Sequence, residues 1–371
     1  MGELVKKLNE RLPFGKKSKT IFLVLLVSWS VWFVVFVYSQ LFLSWSTNSS
    51  AVSQQKKSIT SNKQKILNQY TLVFGGDVML ARHVQERQIE KGNFACAFSN
   101  IADYFSRADL AVVNLESPLT DKGPYPKSGF IFKAREENIA GLKSAGIDAV
   151  FLANNHFGDA GSYGMDFTFQ FLSGEGIEFV GAGQNRSEAY QGKIIQVGSL
   201  RVGLVNQSYN VPYYAATDKK PGIAVLDLDK LKQSILELRS QGADIIIASL
   251  HGGIEYVRNP NQEQVAFAHS AIDAGADLVI GHHPHWIQTI EKYKGRYIFY
   301  SLGNLIFDQN WSQETSEGLV VAVKVKNKKI TGFELKPVII EDNFRPRFAS
   351  QQEAEQILAK VDQDDLTAKI E

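Results

Sequence analysis

The chain has 371 residues, 44% of them hydrophobic and 21% charged. Its 40 Lys plus Arg against 39 Asp plus Glu leave a net charge of +1, which carries no footprint for nucleic acid. Cys96 is the one cysteine, so an intrachain disulfide and a cysteine-based zinc site are both excluded.

Residues 1–20 form a basic tail, with Lys6, Lys7, Arg11, Lys16, Lys17 and Lys19 against Glu3 and Glu10. Ile21 to Leu43 is a 23-residue run without a charged side chain. A helix needs about 20 apolar residues to cross the hydrocarbon core, so residues 21–43 read as a transmembrane anchor in the lipid bilayer. A cleaved signal peptide has an apolar core of about 7–15 residues, and no Ala-x-Ala site follows this longer run. The basic flank predicts a single-pass protein of the cell membrane, with a cytoplasmic N-terminus and an extracytoplasmic main domain. Residues 44–69 are rich in Ser, Asn, Gln, Thr and Lys without apolar periodicity, and read as a flexible stalk.

Residues 70–342 are long enough for one large domain with its own core. Strands are expected at Thr71–Gly75, Leu110–Asn114, Ala149–Ala153, Glu178–Gly181, Arg201–Asn206, Asp244–Leu250, Asp277–Gly281 and Tyr297–Leu302. Several are near-continuous Val/Ile/Leu runs, as in strands covered on both faces. Helices are expected at Glu136–Ala145, Ser162–Ser173, Asp229–Gln241 and Asn261–Ala274. This alternation predicts an α/β sheet with crossover connections. Leu319–Val325 and Ile330–Pro337 alternate around Lys-rich turn material and predict an antiparallel hairpin. Residues 343–371 read as a C-terminal tail whose short helix, Glu353–Val361, is expected at the periphery.

Polar clusters sit where the expected strands end. They are Gly75-Gly76-Asp77, Asn114-Leu115-Glu116, Asn154-Asn155-His156, His251-Gly252-Gly253, Gly281-His282-His283-Pro284-His285 and Ser301-Leu302-Gly303-Asn304. Ligands of open α/β sheets collect at the carboxyl ends of strands. Asp77 alone would be an Asx-turn or a helix cap, and His251 alone an interior histidine. Five of the seven histidines nevertheless fall in these clusters, while His83 and His269 sit on expected helices and read as structural or exposed. Carboxylate, imidazole and amide oxygen together suit Mn, Fe or Zn better than Ca. The expected cofactor is a divalent metal, as one or two ions. Lys133 and Arg135 could hold a polyanion or lie in a solvated loop. Tyr209, Tyr213 and Tyr214 could rim a pocket or pack a loop.

At these residues the sequence resembles the capsule-synthesis CapA family, also called the poly-γ-glutamate biosynthesis family. The resemblance runs from about Tyr70 to Asp308. It rests on Gly76-Asp77-Val78-Met79, Asn114-Leu115-Glu116, Asn154-Asn155-His156 with Asp159 and Gly161, and His251-Gly252-Gly253 with Glu255-Tyr256. Asp273 to Asp277, Gly281 to His285 and Tyr300 to Asn304 complete it. The family looks like a branch of the calcineurin-like metallophosphoesterases, which implies a four-layer αββα sandwich of two mixed sheets. The resemblance places Asp77 as the first metal carboxylate and Glu116 at the bridging position. It makes Asn155 an amide ligand, His251, His283 and His285 imidazole ligands, and His156 the general acid or transition-state clamp. It assigns Asp77 and His156 to catalysis, and Asn154, Asp159, His282, Glu255 and Asn304 to the surroundings or the substrate, which Lys133 could also contact. Two departures stand out. Met79 occupies the position of a ligand histidine, and Glu116 is one methylene longer than the usual Asp.

The expected function is a metal-dependent, phosphoesterase-like hydrolase serving capsule or poly-γ-glutamate export or assembly. Its substrate would be a phosphoester or an anionic polymer, and its partners the membrane subunits of a polymer synthase. A non-catalytic assembly subunit of that synthase and a general surface phosphodiesterase are the alternatives.

Overall fold

The computed structural model describes residues 68–209 and 211–361. The expected basic tail, the anchor and all but the end of the stalk lie outside the described residues. Among the described residues no helix is long and apolar enough to cross a membrane.

Strands β1 (Gln69–Val78) and β2 (Leu110–Leu115) begin one sheet. The short pair β3 (Leu119–Thr120) and β4 (Ala134–Arg135) stands apart, and β5 (Ala149–Phe151) and β6 (Glu178–Val180) extend the first sheet. After β7 (Ala182–Gly183), β8 (Lys193–Val197) and β9 (Leu200–Ser208) begin a second sheet, and β10 (Gly222–Ile223) returns to pair with β7. The second sheet is completed by β11 (Ile245–His251), β12 (Leu278–His282), β13 (Ile290–Tyr293) and β14 (Arg296–Phe299). Strands β15 (Asn304–Ile306), β16 (Glu317–Lys326), β17 (Lys329–Glu341) and β18 (Arg345–Phe348) rejoin the first.

The fold is mixed α/β with several sheets. The eight-stranded sheet has the order β18-β17-β16-β1-β2-β5-β6, with β15 also paired to β1. Its β1, β2, β5 and β6 are parallel, whereas β16, β17 and β18 are antiparallel. The six-stranded sheet has the order β13-β14-β12-β11-β9-β8, with four parallel strands between two antiparallel edges. Every residue of β2 and β11 is buried, which explains their unbroken apolar runs.

Side-chain alternation sorts the apolar residues into layers. Leu72, Phe74 and Val112 of the first sheet pack against Val202, Leu204, Ile247 and Ile280 of the second. Their neighbours Val73, Ala111 and Val113 point the other way, toward Phe105, Leu142 and Leu172. On the far face of the second sheet, Ile246 and Ala248 meet Leu231 and Ile235 of helix Leu228–Ser240 and Phe267 of helix Gln262–Asp273. Those helices are capped by Asp227 and by an Asn261/Gln264 capping box.

The hairpin of β16 and β17 turns on Asn327 (φ 50°) and Lys328 (φ 63°), the left-handed pair that a tight two-residue turn requires. The C-terminal segment is not peripheral. Strand β18 pairs with β17, and Ile357, Leu358 and Val361 are buried in the core between the sheets.

Candidate metal centre

The parallel strands of both sheets end at one edge, and the polar clusters meet there. In register, Asp77 lies beside Asn114 on one side and Asn304 on the other. His251 lies beside His282. Glycine permits the closest approach: a Cβ on Gly76 would stand 2.1 Å from the Gly303 carbonyl oxygen, and the Asp77 N–H donates to that oxygen at 3.0 Å. His283 (φ 98°) and His285 (φ 57°) hold left-handed backbone conformations. Such strain costs of order 1–3 kcal/mol per residue and is found where function demands it.

Asp77 is fully buried. Its Oδ1 accepts from Asn114 Nδ2 at 2.8 Å and lies 3.3 Å from His282 Nδ1. Its Oδ2 accepts from the His283 N–H at 3.2 Å and lies 3.5 Å from His285 Nδ1. Glu116 is equally buried, yet neither carboxylate oxygen has a hydrogen-bond partner. Oε1 of Glu116 stands 3.7 Å from His251 Nε2 and 3.9 Å from His285 Nε2. His251 Nε2 is 2.8 Å from Asn155 Oδ1. Ligand atoms of Asp77, Glu116 and His251 all fall within 4.8 Å of one another. His283 presents an Nδ1 without a partner, and its ring centre is 4.9 Å from that of His251.

His156 is 9% exposed, the least buried of the strand-end histidines. Its Nδ1 is 2.9 Å from Asp159 Oδ2, and its ring stacks on Phe132 at 3.8 Å. Asp159 is braced twice more, by the Phe132 N–H at 2.7 Å and the Tyr214 hydroxyl at 2.9 Å. Asn154 accepts the His156 N–H at 3.1 Å and donates to the Leu115 carbonyl at 2.9 Å. Asn304 Oδ1 faces His285 Nδ1 at 2.9 Å, which aims the other ring nitrogen at Glu116. His282 is buried behind Asp77 against Phe151. Glu255 is exposed, accepts a hydrogen bond from the Tyr256 hydroxyl, and its negative charge adds to that of Asp77 in raising Glu116. Lys133 is half-buried and makes no hydrogen bond or ion pair among the described residues. Arg135 is occupied, its guanidinium 4.6 Å from the Tyr125 ring. The Tyr209 ring lies 4.8 Å from that of His283, and Tyr213 is exposed beside Tyr214.

The family model for bacterial capsule synthesis protein PGA_cap matches residues 71–309. The chain belongs to this capsule-synthesis family. The capsule biosynthesis protein CapA of Bacillus anthracis is 32% identical over 275 residues, covering 72% of this chain and 67% of the relative. The PGA biosynthesis protein CapA of Bacillus subtilis is 33% identical over 276 residues, covering 72% and 71%. Among solved structures, the calcineurin-like phosphoesterase YfkN of Bacillus subtilis is 14% identical, with a TM-score of 0.41. It covers 79% of this chain and 97% of that one.

The donor set fits a divalent cation. A buried carboxylate without a partner is costly, and a bound cation would relieve that cost. Burial, and after it the negative charge of Asp77, push the Glu116 carboxyl well above the usual range. Burial also raises Asp77, but His282 and His285 outweigh it and hold that carboxyl well below its ordinary value. Burial, then His283, keeps His251 well below its ordinary value, and burial and His285 push His283 down to about 3. His251 and His283 are therefore neutral at physiological pH and offer lone pairs.

Sequence reasoning passed over Asn114 as a site residue although it closes the second strand. Its Nδ2 lies between Asp77 Oδ1 and His251 Nδ1, at 2.8 Å and 3.2 Å. It also missed Arg82, buried against Asp308 and 4.3 Å from the Phe132 ring centre. Only the position of Asn114 at a strand end carried a signal; the Arg82–Asp308 pair spans 226 residues and carried none. Met79 is buried, and its Sδ accepts the Ala81 N–H at 3.1 Å, so it behaves as a core residue.

Proposed function

We propose that this chain is a membrane-anchored, metal-dependent hydrolase of capsule or poly-γ-glutamate assembly. Residues 21–43 hold it in the cell membrane, and residues 70–342 work outside the cytoplasm with metallophosphoesterase-like layering. The observation that carries the chemistry is Glu116, buried with both oxygens unpartnered beside His251 and Asn155. Asp77, Glu116, Asn155, His251, His283 and His285 are the residues that would hold the metal. A divalent cation there supplies Lewis acidity and neutralises charge on an attacked phosphoester or acyl centre.

The chain's own residues do the rest. His156, oriented at Nδ1 by Asp159, keeps its second ring nitrogen to donate a proton to the leaving oxygen or nitrogen. Stacking on Phe132 fixes the plane of that ring. Lys133, next in sequence and without an ion-pair partner among the described residues, receives an anionic polymer end. The relatives named for capsule and PGA biosynthesis support the choice of polymer.

Met79 favours a second reading, a binding subunit of a membrane-bound polymer synthase, because a thioether replaces a nitrogen ligand. Capsule complementation separates the two. Strains carrying His156→Ala should lose polymer output while the protein accumulates normally, and full output from that variant would leave only the binding role.

A further inference from the structure

We infer that the hairpin tip between β16 and β17, with Lys326, Lys328 and Lys329, docks on anionic lipid headgroups of the membrane that holds residues 21–43. The inference goes beyond the hydrolase reading and rests on the proposed anchor.

The chain enters the described domain at this tip. The Asn327 N–H donates to the Asn68 carbonyl at 2.9 Å, and Gln69 opposes Lys326 in the register of β1 and β16. Residues 44–67 separate the proposed anchor from Asn68. A chain of that length spans at most about 85 Å. The tip is therefore kept near the bilayer, at an effective concentration that lets a weak contact form.

The charge of the tip is one-sided. Lys326, Lys328 and Lys329 are all exposed, and the left-handed turn at Asn327 and Lys328 gathers them in one short loop. Lys328 pairs with Asp244 at 2.9 Å, whereas Lys326 and Lys329 have no ion pair among the described residues. The acids of the neighbouring strand starts are engaged by backbone. Asp109, Asp244 and Asp277 accept the N–H groups of Thr71, Arg201 and Ile246, at 2.8, 2.9 and 2.9 Å. Asp277 also pairs with Arg239 and Arg296. These carboxylates are directed into the fold, so they leave the lysines of the tip largely uncompensated. Each lysine beside an anionic bilayer is worth roughly fivefold in binding, so three together favour docking on the order of a hundredfold.

Docking at the tip also sets the reach of the metal centre. Strand β1 leads away from the tip, and Asp77 stands about 26 Å from Gln69 at about 3.3 Å per residue. The centre then meets material beyond the headgroups rather than the lipid itself.

Lysine acetylation reads the contact. The full chain is reconstituted in nanodiscs of phosphatidylcholine alone, and of equal parts phosphatidylcholine and phosphatidylglycerol. It is treated with N-hydroxysuccinimidyl acetate and quantified by mass spectrometry. Lys326, Lys328 and Lys329 should react about tenfold more slowly in the anionic discs. The difference should vanish in about 1 M salt, where the screening length falls to about 3 Å. Lys127, which pairs with Glu86 on the helix Arg82–Glu90 that follows β1, should react equally in both. The exposed double variant Lys326→Gln/Lys329→Gln should fold and should lose the protection of Lys328. Equal reactivity in the two discs, protection that survives high salt, or Lys328 still protected in the variant would overturn the inference. So would protection of the same lysines by soluble polyglutamate in phosphatidylcholine discs, which would assign the patch to a polymer. A chain that fails to enter the discs would overturn the anchor reading instead.

Discussion

Replacing Glu116 by Gln should make the metal-free protein more stable and the metal-loaded protein less so. The side chain is buried with both oxygens unpartnered, and burial followed by Asp77 raises its pKa. An unsatisfied buried polar group costs about 1–3 kcal/mol, and more when charged. The amide removes the charge, so metal-free Glu116→Gln should gain on that order. A carboxyl whose folded pKa is raised contributes stability below the ordinary carboxylate range and loses it as pH climbs toward the folded value. The loss can reach about 1.4 kcal/mol per pH unit for one proton. The advantage of the variant should therefore widen from pH 5 to pH 8. Metal reverses the order: at one hundred times Kd the native protein gains about 2.7 kcal/mol, and the variant gains little. Urea denaturation in chelator and in Mn(II), at both pH values, measures all four states. A chelated variant less stable than the chelated native protein would refute the argument that Glu116 is left uncompensated.

Other perturbations follow from the same geometry. His156→Ala should lower turnover by about 10²–10⁴-fold with metal content intact, read by steady-state kinetics beside elemental analysis. Arg82→Ala leaves Asp308 buried without its cation and should cost about 3–5 kcal/mol in urea denaturation. Gly76→Ala drives a methyl group into the Gly303 carbonyl and should lower both the melting temperature and the metal content. His283 is held down to about 3, so the metal-free protein should lose stability as pH falls from the ordinary histidine range, and His283→Gln should flatten that slope in acid titrations followed by circular dichroism.

The strands that build the centre were legible because parallel strands buried on both faces leave unbroken apolar runs, as in Ile245–His251. The strands missed were short or polar: Ile290–Tyr293 and Arg345–Phe348 lie at sheet edges and Asn304–Ile306 has three residues. The tail helix misled because Ile357 and Leu358 are two apolar positions in a polar segment, too few to announce burial between sheets. Residue types at strand ends told where chemistry gathers. They did not tell that Glu116 would lack partners while Asp77 accepts from Asn114 and from a backbone N–H brought from 206 residues away.

Crystals of the protein grown with Mn(II) or Zn(II) would test the central claim most directly through anomalous scattering. The account expects anomalous density among Asp77, Glu116, Asn155 and His251, at bonding distances of about 2.0–2.3 Å. A peak confined to surface carboxylates, or none at this strand edge, would contradict it.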